Sequence, residues 1–250
     1  MQKADVNDTI FSYDVSGTGE PVIFIPGALI AEVFRPLLNE PSIGTGYKRI
    51  IYHRRGYGDS TFSSSSGTLA QQVADCRSML RHLGIKRAHF FGHSLGGSIR
   101  VQLAIDAPDA VHSLALLEPA LFGGETGEEY WASLARAEQR FKVEPSDVVV
   151  VDFLRMRFGF DYRMLLEQAL PGAFEEAVAD SRATFKLDLP GLREWHFNED
   201  EVGRITQPVL NILGGDSEAL WARFGEVYRL IHGWVPDARV SSSPAQRTFL

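Results

Sequence analysis

The sequence predicts an α/β domain built on a parallel sheet, and three observations carry that expectation. Val22-Ile23-Phe24-Ile25 and Leu114-Ala115-Leu116-Leu117 are apolar runs without alternation, the pattern of strands buried on both faces. These runs alternate with helical stretches at βαβ spacing. Between the apolar run Ala88 to Phe91 and the helix-like run Leu95 to Ala107 lies Gly92-His93-Ser94-Leu95-Gly96. G-x-S-x-G between a strand and a helix specifies a sharp turn that lifts a serine hydroxyl into the open.

Composition narrows the classes. A chain of 250 residues fits one large domain, or a core with an insertion. A net charge of -7 provides no basic footprint for nucleic acid. The single cysteine, Cys76, excludes an intrachain disulfide and suits a reducing compartment. Met1 to Asp5 is polar, without the apolar core of a signal peptide. No uncharged apolar stretch reaches the roughly 18 residues that span a bilayer. The expectation is a cytoplasmic protein with neither nucleic-acid nor membrane partner.

The elements follow in order. Thr9 to Val15 alternates as a short strand, closed by a turn at Gly17-Thr18-Gly19. Pro21 to Ile25 and Lys48 to Tyr52 are buried strands, and Ser63 to Gly67 is a loop. Thr68 and Gln71 form a capping box. Leu69, Val73, Cys76, Leu80 and Leu83 then share one helical face, and Gly84 ends the helix. Cys76 on that face reads as a buried, inert thiol. Val111 to Leu117 is a further strand, ending at Glu118-Pro119. From 120 to 206 the texture becomes helical, with three or four helices. One runs from about Glu128 to Phe141. A second starts at Ser146, with Val149, Phe153, Met156 and Phe160 at helical spacing. A third runs from about Ala173 to Phe185. Pro208 to Leu213 returns to a buried strand. Ser217 is expected to cap a helix carrying Leu220, Phe224, Val227 and Ile231, ended by Gly233, and Ala238 to Ser241 to begin a last strand.

With these pieces placed, the chain resembles the α/β-hydrolase superfamily over most of its length, most closely the capped members with a serine nucleophile. The matching residues are Gly92-His93-Ser94-Leu95-Gly96-Gly97, Ile25-Pro26-Gly27-Ala28-Leu29, Arg55-Gly56-Tyr57-Gly58-Asp59-Ser60 and the stretch from Pro208 to Ser217. The resemblance implies a mostly parallel sheet with an antiparallel start. It also implies three parts: hydrolase core 1–119 with the nucleophile elbow, helical cap 120–206, and core 207–250, which reads as truncated.

That chemistry needs a nucleophile, a base, an acid to orient the base, and an oxyanion hole. Ser94 is the nucleophile. The resemblance assigns the oxyanion donors to the N–H of Leu95 and that of Ala28, with Leu29 as the alternative to Ala28; the family's frequent His-Gly in that loop is Pro26-Gly27 here. Two acids remain open. Asp216 lies in the loop after the strand Val209 to Leu213, where the family's usual acid aligns with Ser217. Glu118 follows the strand leaving the elbow helix, at the carboxyl edge where open α/β sheets bind ligands, and is modestly favoured.

The base is the departure. The family takes it from a Gly-x-x-His after the final strand, and no histidine follows His232. His232 belongs to a predicted helix end, His53 precedes a loop, His89 lies in a strand, and His93 points away from its neighbour Ser94. His196, at the exit of the helical region, is the remaining candidate to face the cleft. Read one nucleotide earlier, Pro244-Ala245-Gln246-Arg247-Thr248 is compatible with Pro-Gly-Ala-Thr-His, so a frameshift or an assembly error is expected to have removed the base and a last helix; the coding DNA decides this.

The functional expectation is a serine hydrolase of small esters or related acyl compounds, impaired by the missing histidine. A non-catalytic small-molecule binder and a lyase or peroxidase-type activity on the same scaffold are the alternatives. The partner expected is a small-molecule substrate. No cofactor or metal is expected, since His and Cys do not cluster and no phosphate-binding loop occurs.

Overall fold

The structure, a computed structural model, describes residues 1–62, 67–235 and 237–242. The expected loop at Ser63 to Ser66 and the tail reading at 243–250 lie outside them.

Eight strands form one sheet: β1 (Gln2–Val6), β2 (Thr9–Ser16), β3 (Glu20–Ile25), β4 (Tyr47–Tyr52), β5 (Ala88–His93), β6 (Val111–Leu117), β7 (Val209–Leu213) and β8 (Arg239–Ser242). Their spatial order is β1-β2-β4-β3-β5-β6-β7-β8. β2 pairs antiparallel with β1 and β4, and every later pairing is parallel. The sequence reading lacked β1. The strand is five residues long and three of them, Gln2, Lys3 and Asp5, are polar; the hairpin through Asn7 and Asp8, both at positive φ, recruits it. Ile23, Phe24, Ile25, Ile50, Ile51, Phe90, Leu114 and Leu116 are buried, as the non-alternating runs required.

Helices cover the sheet and join its strands. Two single-turn helices, α1 (Arg35–Leu38) and α2 (Pro41–Gly44), precede β4. α3 (Leu69–His82) starts where the Thr68 hydroxyl accepts the Gln71 N–H. The Gln71 side chain turns to Asp75 instead of closing the box. α4 (Leu95–Asp106) leaves the elbow, and a 3-10 turn (Pro108–Ala110) leads to β6.

Between β6 and β7 the chain forms helices and turns and, among the described residues, no strand: α5 (Gly127–Phe141), α6 (Ser146–Phe158), α7 (Tyr162–Ala169), α8 (Ala173–Ala183), a π-helical turn (Thr184–Asp188), α9 (Leu189–Arg193) and α10 (Glu199–Val202). This exceeds the three or four helices expected, because the later ones are too short to show a period. The apolar face read on α6 also needs correction. Val149 and Phe153 are buried, but Met156 is 45% and Phe160 87% exposed. Gly159 at positive φ ends α6, so Phe160 lies beyond the helix, and the buried side continues through Leu154 and Arg157. After β7, the expected single helix is two. Asp216, not Ser217, is the cap residue of α11 (Ser217–Leu220), and extended Trp221 separates it from α12 (Ala222–Trp234).

The elbow dictates how closely β3, β5 and α4 approach. A Cβ on Gly96 would overlap the carbonyl oxygen of Ile25 and come within 2.7 Å of that of Pro26. Below the turn, Arg100 is fully buried; burial pushes its pKa down to about 9, and its Nη1 donates to the Gly96 carbonyl oxygen at 2.7 Å. Gly96→Ala is expected to force the α4 start away from β3 and cost about 1–3 kcal/mol, read as a lower urea midpoint. A midpoint equal to that of the wild type would show that the contact is slack.

Candidate active site

Ser94 sits at φ 51° and ψ -123°, a left-handed strain that a non-glycine residue keeps only where its surroundings enforce it. Its N–H donates to the Leu117 carbonyl oxygen, and its own carbonyl accepts from Gly97, Ser98 and Ala120. The turn is therefore stitched to the end of β6 as well as to α4. Its side chain opens on a cavity whose walls are mostly apolar, lined by Ala28, Leu95, Tyr130, Phe153 and Leu192 among others.

The oxyanion candidates lie on that cavity. Leu95 is the first residue of α4, where N–H groups have no intrahelical acceptor and the helix dipole is positive. A Cβ on Gly27 would come 3.0 Å from the Ser94 Cβ, so the Pro26-Gly27-Ala28 loop packs directly on the serine. Leu29 N–H donates to Thr184 Oγ1 at 3.0 Å, so this candidate N–H is already engaged.

The two acid candidates separate in space. His93 of β5 pairs with Leu117 of β6, so Glu118 emerges beside Ser94. Glu118 is 4% exposed, at positive φ, and lines a small recess together with Ser94 and His93. Its Oε1 accepts from Gly214 N–H at 2.9 Å, tying it to the loop after β7. Asp216 is exposed and lines none of the cavities around Ser94.

All seven histidines lie among the described residues. His196 and His232 are exposed and line neither cavity at Ser94, so the structure does not bring His196 to the cleft. His89 bonds Ser113 and Glu20, and His53 bonds Glu32 and the Asp59 N–H. His93 alone shares both cavities with Ser94. Burial pushes it down to about 4, too weak a base to draw a serine proton at neutral pH. Among the described residues no imidazole is hydrogen-bonded to the Ser94 hydroxyl.

The family model described as alpha/beta hydrolase fold matches residues 20–220, from β3 to the end of α11. The chain belongs to the alpha/beta hydrolase family. A dihydrolipoyllysine-residue acetyltransferase component of an acetoin cleaving system, from Cupriavidus necator, is 32% identical over 227 residues, covering 90% of this chain and 59% of that protein. A 2-hydroxy-6-oxo-6-phenylhexa-2,4-dienoate hydrolase from Comamonas testosteroni is 26% identical over 187 residues, covering 70% of this chain and 62% of that protein. The chain thus spans less than two thirds of each of these relatives. Among solved structures, the enol-lactonase from Burkholderia xenovorans superposes with a TM-score of 0.80 at 21% identity, covering 97% of this chain and 91% of that one.

Around the serine this alpha/beta hydrolase carries polar groups that the sequence reading missed. Arg54, two residues beyond β4, is 3% exposed and donates both Nη groups to Asp188 at 2.9 Å. The same guanidinium donates to the carbonyls of Pro26 and Gly27, and so holds the loop that packs on Ser94. Burial alone would lower the Arg54 pKa; Asp188 raises it above the ordinary value. The Tyr57 hydroxyl donates to Asp188 and bonds Thr184. The π-helical turn of the helical region is thereby locked to the loop beside Ser94. The Arg54-Arg55 pair closing an apolar strand was the available signal, since cations placed there need buried partners.

A second junction is acidic. Glu176 accepts from Glu32 N–H at 2.9 Å, and Asp180 accepts from Gly58 N–H at 2.8 Å. Burial raises Glu176 to about 7 and Asp180 to about 6. An acid whose folded pKa is raised favours the folded state when protonated. Stability from Glu176 is therefore full below its unfolded value near 4.5 and falls as pH rises towards about 7. Glu176→Gln keeps the acceptor oxygen and removes the titration. It is expected to make the stability profile shallower between pH 4.5 and 7, the slope from Asp180 remaining, and to gain on the order of 1 kcal/mol at pH 8. Parallel urea titrations of the two proteins across that range check it; identical slopes would refute it.

Proposed function

We propose that this alpha/beta hydrolase is a serine hydrolase of small esters or related acyl compounds. One observation carries the reading: Ser94 is held at φ 51° on the turn into α4, on the cavity it shares with Ala28 and Leu95. In this reading Ser94 attacks the acyl carbon, and the N–H groups of Leu95 and Ala28 receive the oxyanion. Glu118 is the carboxylate that would orient a base; its place in the Ser94 recess favours it over exposed Asp216. The helical region 120–206 acts as a cap, since Tyr130, Phe153 and Leu192 close the cavity from that side. The buried Cys76 thiol, pushed up to about 12, fits a reducing compartment such as the cytoplasm.

No imidazole partners Ser94, so the serine is expected to react slowly. That same feature favours the second reading, a binder that holds an apolar ligand without turning it over. Supplied imidazole separates the two. p-Nitrophenyl butyrate turnover should rise with imidazole concentration in the wild type, after subtraction of the Ser94→Ala protein measured alongside. Identical imidazole responses in both proteins would support the binder.

A further inference from the structure

Arg157, on the buried side of α6, is 8% exposed and lines both the main cavity and the Glu118 recess, each of which includes Ser94. Its guanidinium carbon lies 3.5 Å from the Phe153 ring centroid and 5.3 Å from that of Trp221. Stacking of this kind uses the flat face of the guanidinium and leaves its in-plane N–H groups for other partners. Nη1 spends one of them on the Phe153 carbonyl oxygen at 2.9 Å. Nη2 is fully buried and has no acceptor among the described residues.

No carboxylate pairs with Arg157 among the described residues, whereas other charged groups on these walls have partners. Asp188 is held by Arg54, Arg223 by Glu226, and Glu118 accepts from Gly214 N–H. A buried cation without a counter-ion is costly, and burial pushes its pKa below the ordinary value. An incoming anion would offset that cost without further desolvation of the guanidinium. In the main cavity, which Glu118 does not line and where Asp188 is paired with Arg54, Arg157 is the one cation without a carboxylate among the described residues, which matches one negative charge better than the two of a phosphate monoester. A planar carboxylate also suits the in-plane edge of a guanidinium.

We propose that Arg157 is the specificity-determining residue of the chamber and binds a carboxylate carried by the substrate. The ligand class is then an apolar acyl compound with a second, anionic end: Arg157 takes the carboxylate while Ser94 meets the acyl carbon. The acyl part of this statement rests on the hydrolase reading of Ser94. The anion part does not need Ser94 to react.

Calorimetric titration of the full chain with phenylacetate and with its neutral isostere phenylacetamide tests the anion part directly. Phenylacetate is expected to bind about tenfold or more tightly than phenylacetamide, the gain from a charge-assisted hydrogen bond. Arg157→Met should bring the two affinities together. Equal affinities in the wild type, or a preference that survives Arg157→Met, would overturn the proposal. Where Arg157→Met fails to fold, Arg157→Lys decides. Weakened phenylacetate binding with unchanged phenylacetamide binding supports the fork geometry, and unchanged phenylacetate binding refutes it. The imidazole experiment on Ser94 reads chemistry and this one reads binding, so the two readings fail separately.

Discussion

Asp188→Ala is expected to destabilise the protein by about 3–5 kcal/mol, the largest single loss of stability that the structure indicates. Asp188 and Arg54 are only 2% and 3% exposed, and both carboxylate oxygens are used. Removing the carboxylate leaves the guanidinium buried without a counter-ion, and strips a partner from Tyr57 and from Gln72. The Arg54 hydrogen bonds to Pro26 and Gly27 remain, but neutral carbonyls do not balance a charge. Urea unfolding reads the effect. The double replacement Arg54→Met with Asp188→Leu supplies the control, because it removes both charges and keeps apolar volume. It is expected to cost less than Asp188→Ala alone. A single-variant loss under about 1 kcal/mol, or a double variant worse than the single, would show that the pair does not bear the junction.

Ser94→Ala is expected to lower p-nitrophenyl butyrate turnover by less than about tenfold when no imidazole is added. The reason is non-additivity. In a serine triad, loss of the base alone costs nearly as much as loss of every member, and what remains comes from the oxyanion hole and binding. With no histidine on the Ser94 hydroxyl, that loss is already present, so deleting the hydroxyl takes away little more. A fall on the order of a thousandfold or more would reveal a working base at Ser94. The next step would then be to find it through the pH dependence of the rate and single replacements of His93 and His196. Steady-state rates of wild type and variant, measured above buffer hydrolysis, are sufficient.

The sheet and the elbow were legible from residues 9 to 117 because local rules govern them. Non-alternating runs such as Val22-Ile23-Phe24-Ile25 have one favourable environment, a strand covered on both faces. Thr68 capping, the 69-to-83 stripe and Gly92-to-Gly97 likewise read at short range. The helical region was less legible. The stripe through Met156 and Phe160 kept its period but not its burial, because Gly159 ends the helix and Arg157 occupies the inner face. Glu118 and Asp216 were both strand-end carboxylates, with Glu118 modestly favoured. Their difference in burial follows from strand register, since Leu117 lies opposite His93.

Short-range pattern alone carried the fold family, the strand-to-helix turn at Ser94, the candidate backbone donors beside it and the lack of a histidine after His232. Each is a matter of residue type and local spacing. Packing set how deeply Glu118 is buried while Asp216 stays exposed, kept His196 in solvent, and let Arg54 and Asp188 fasten the Pro26-Gly27 loop to the helical region. It also left Arg157 buried without a counter-ion. Those outcomes join residues as much as 134 positions apart. Charges so distant in the chain meet through packing, and no short-range pattern encodes which of them find partners.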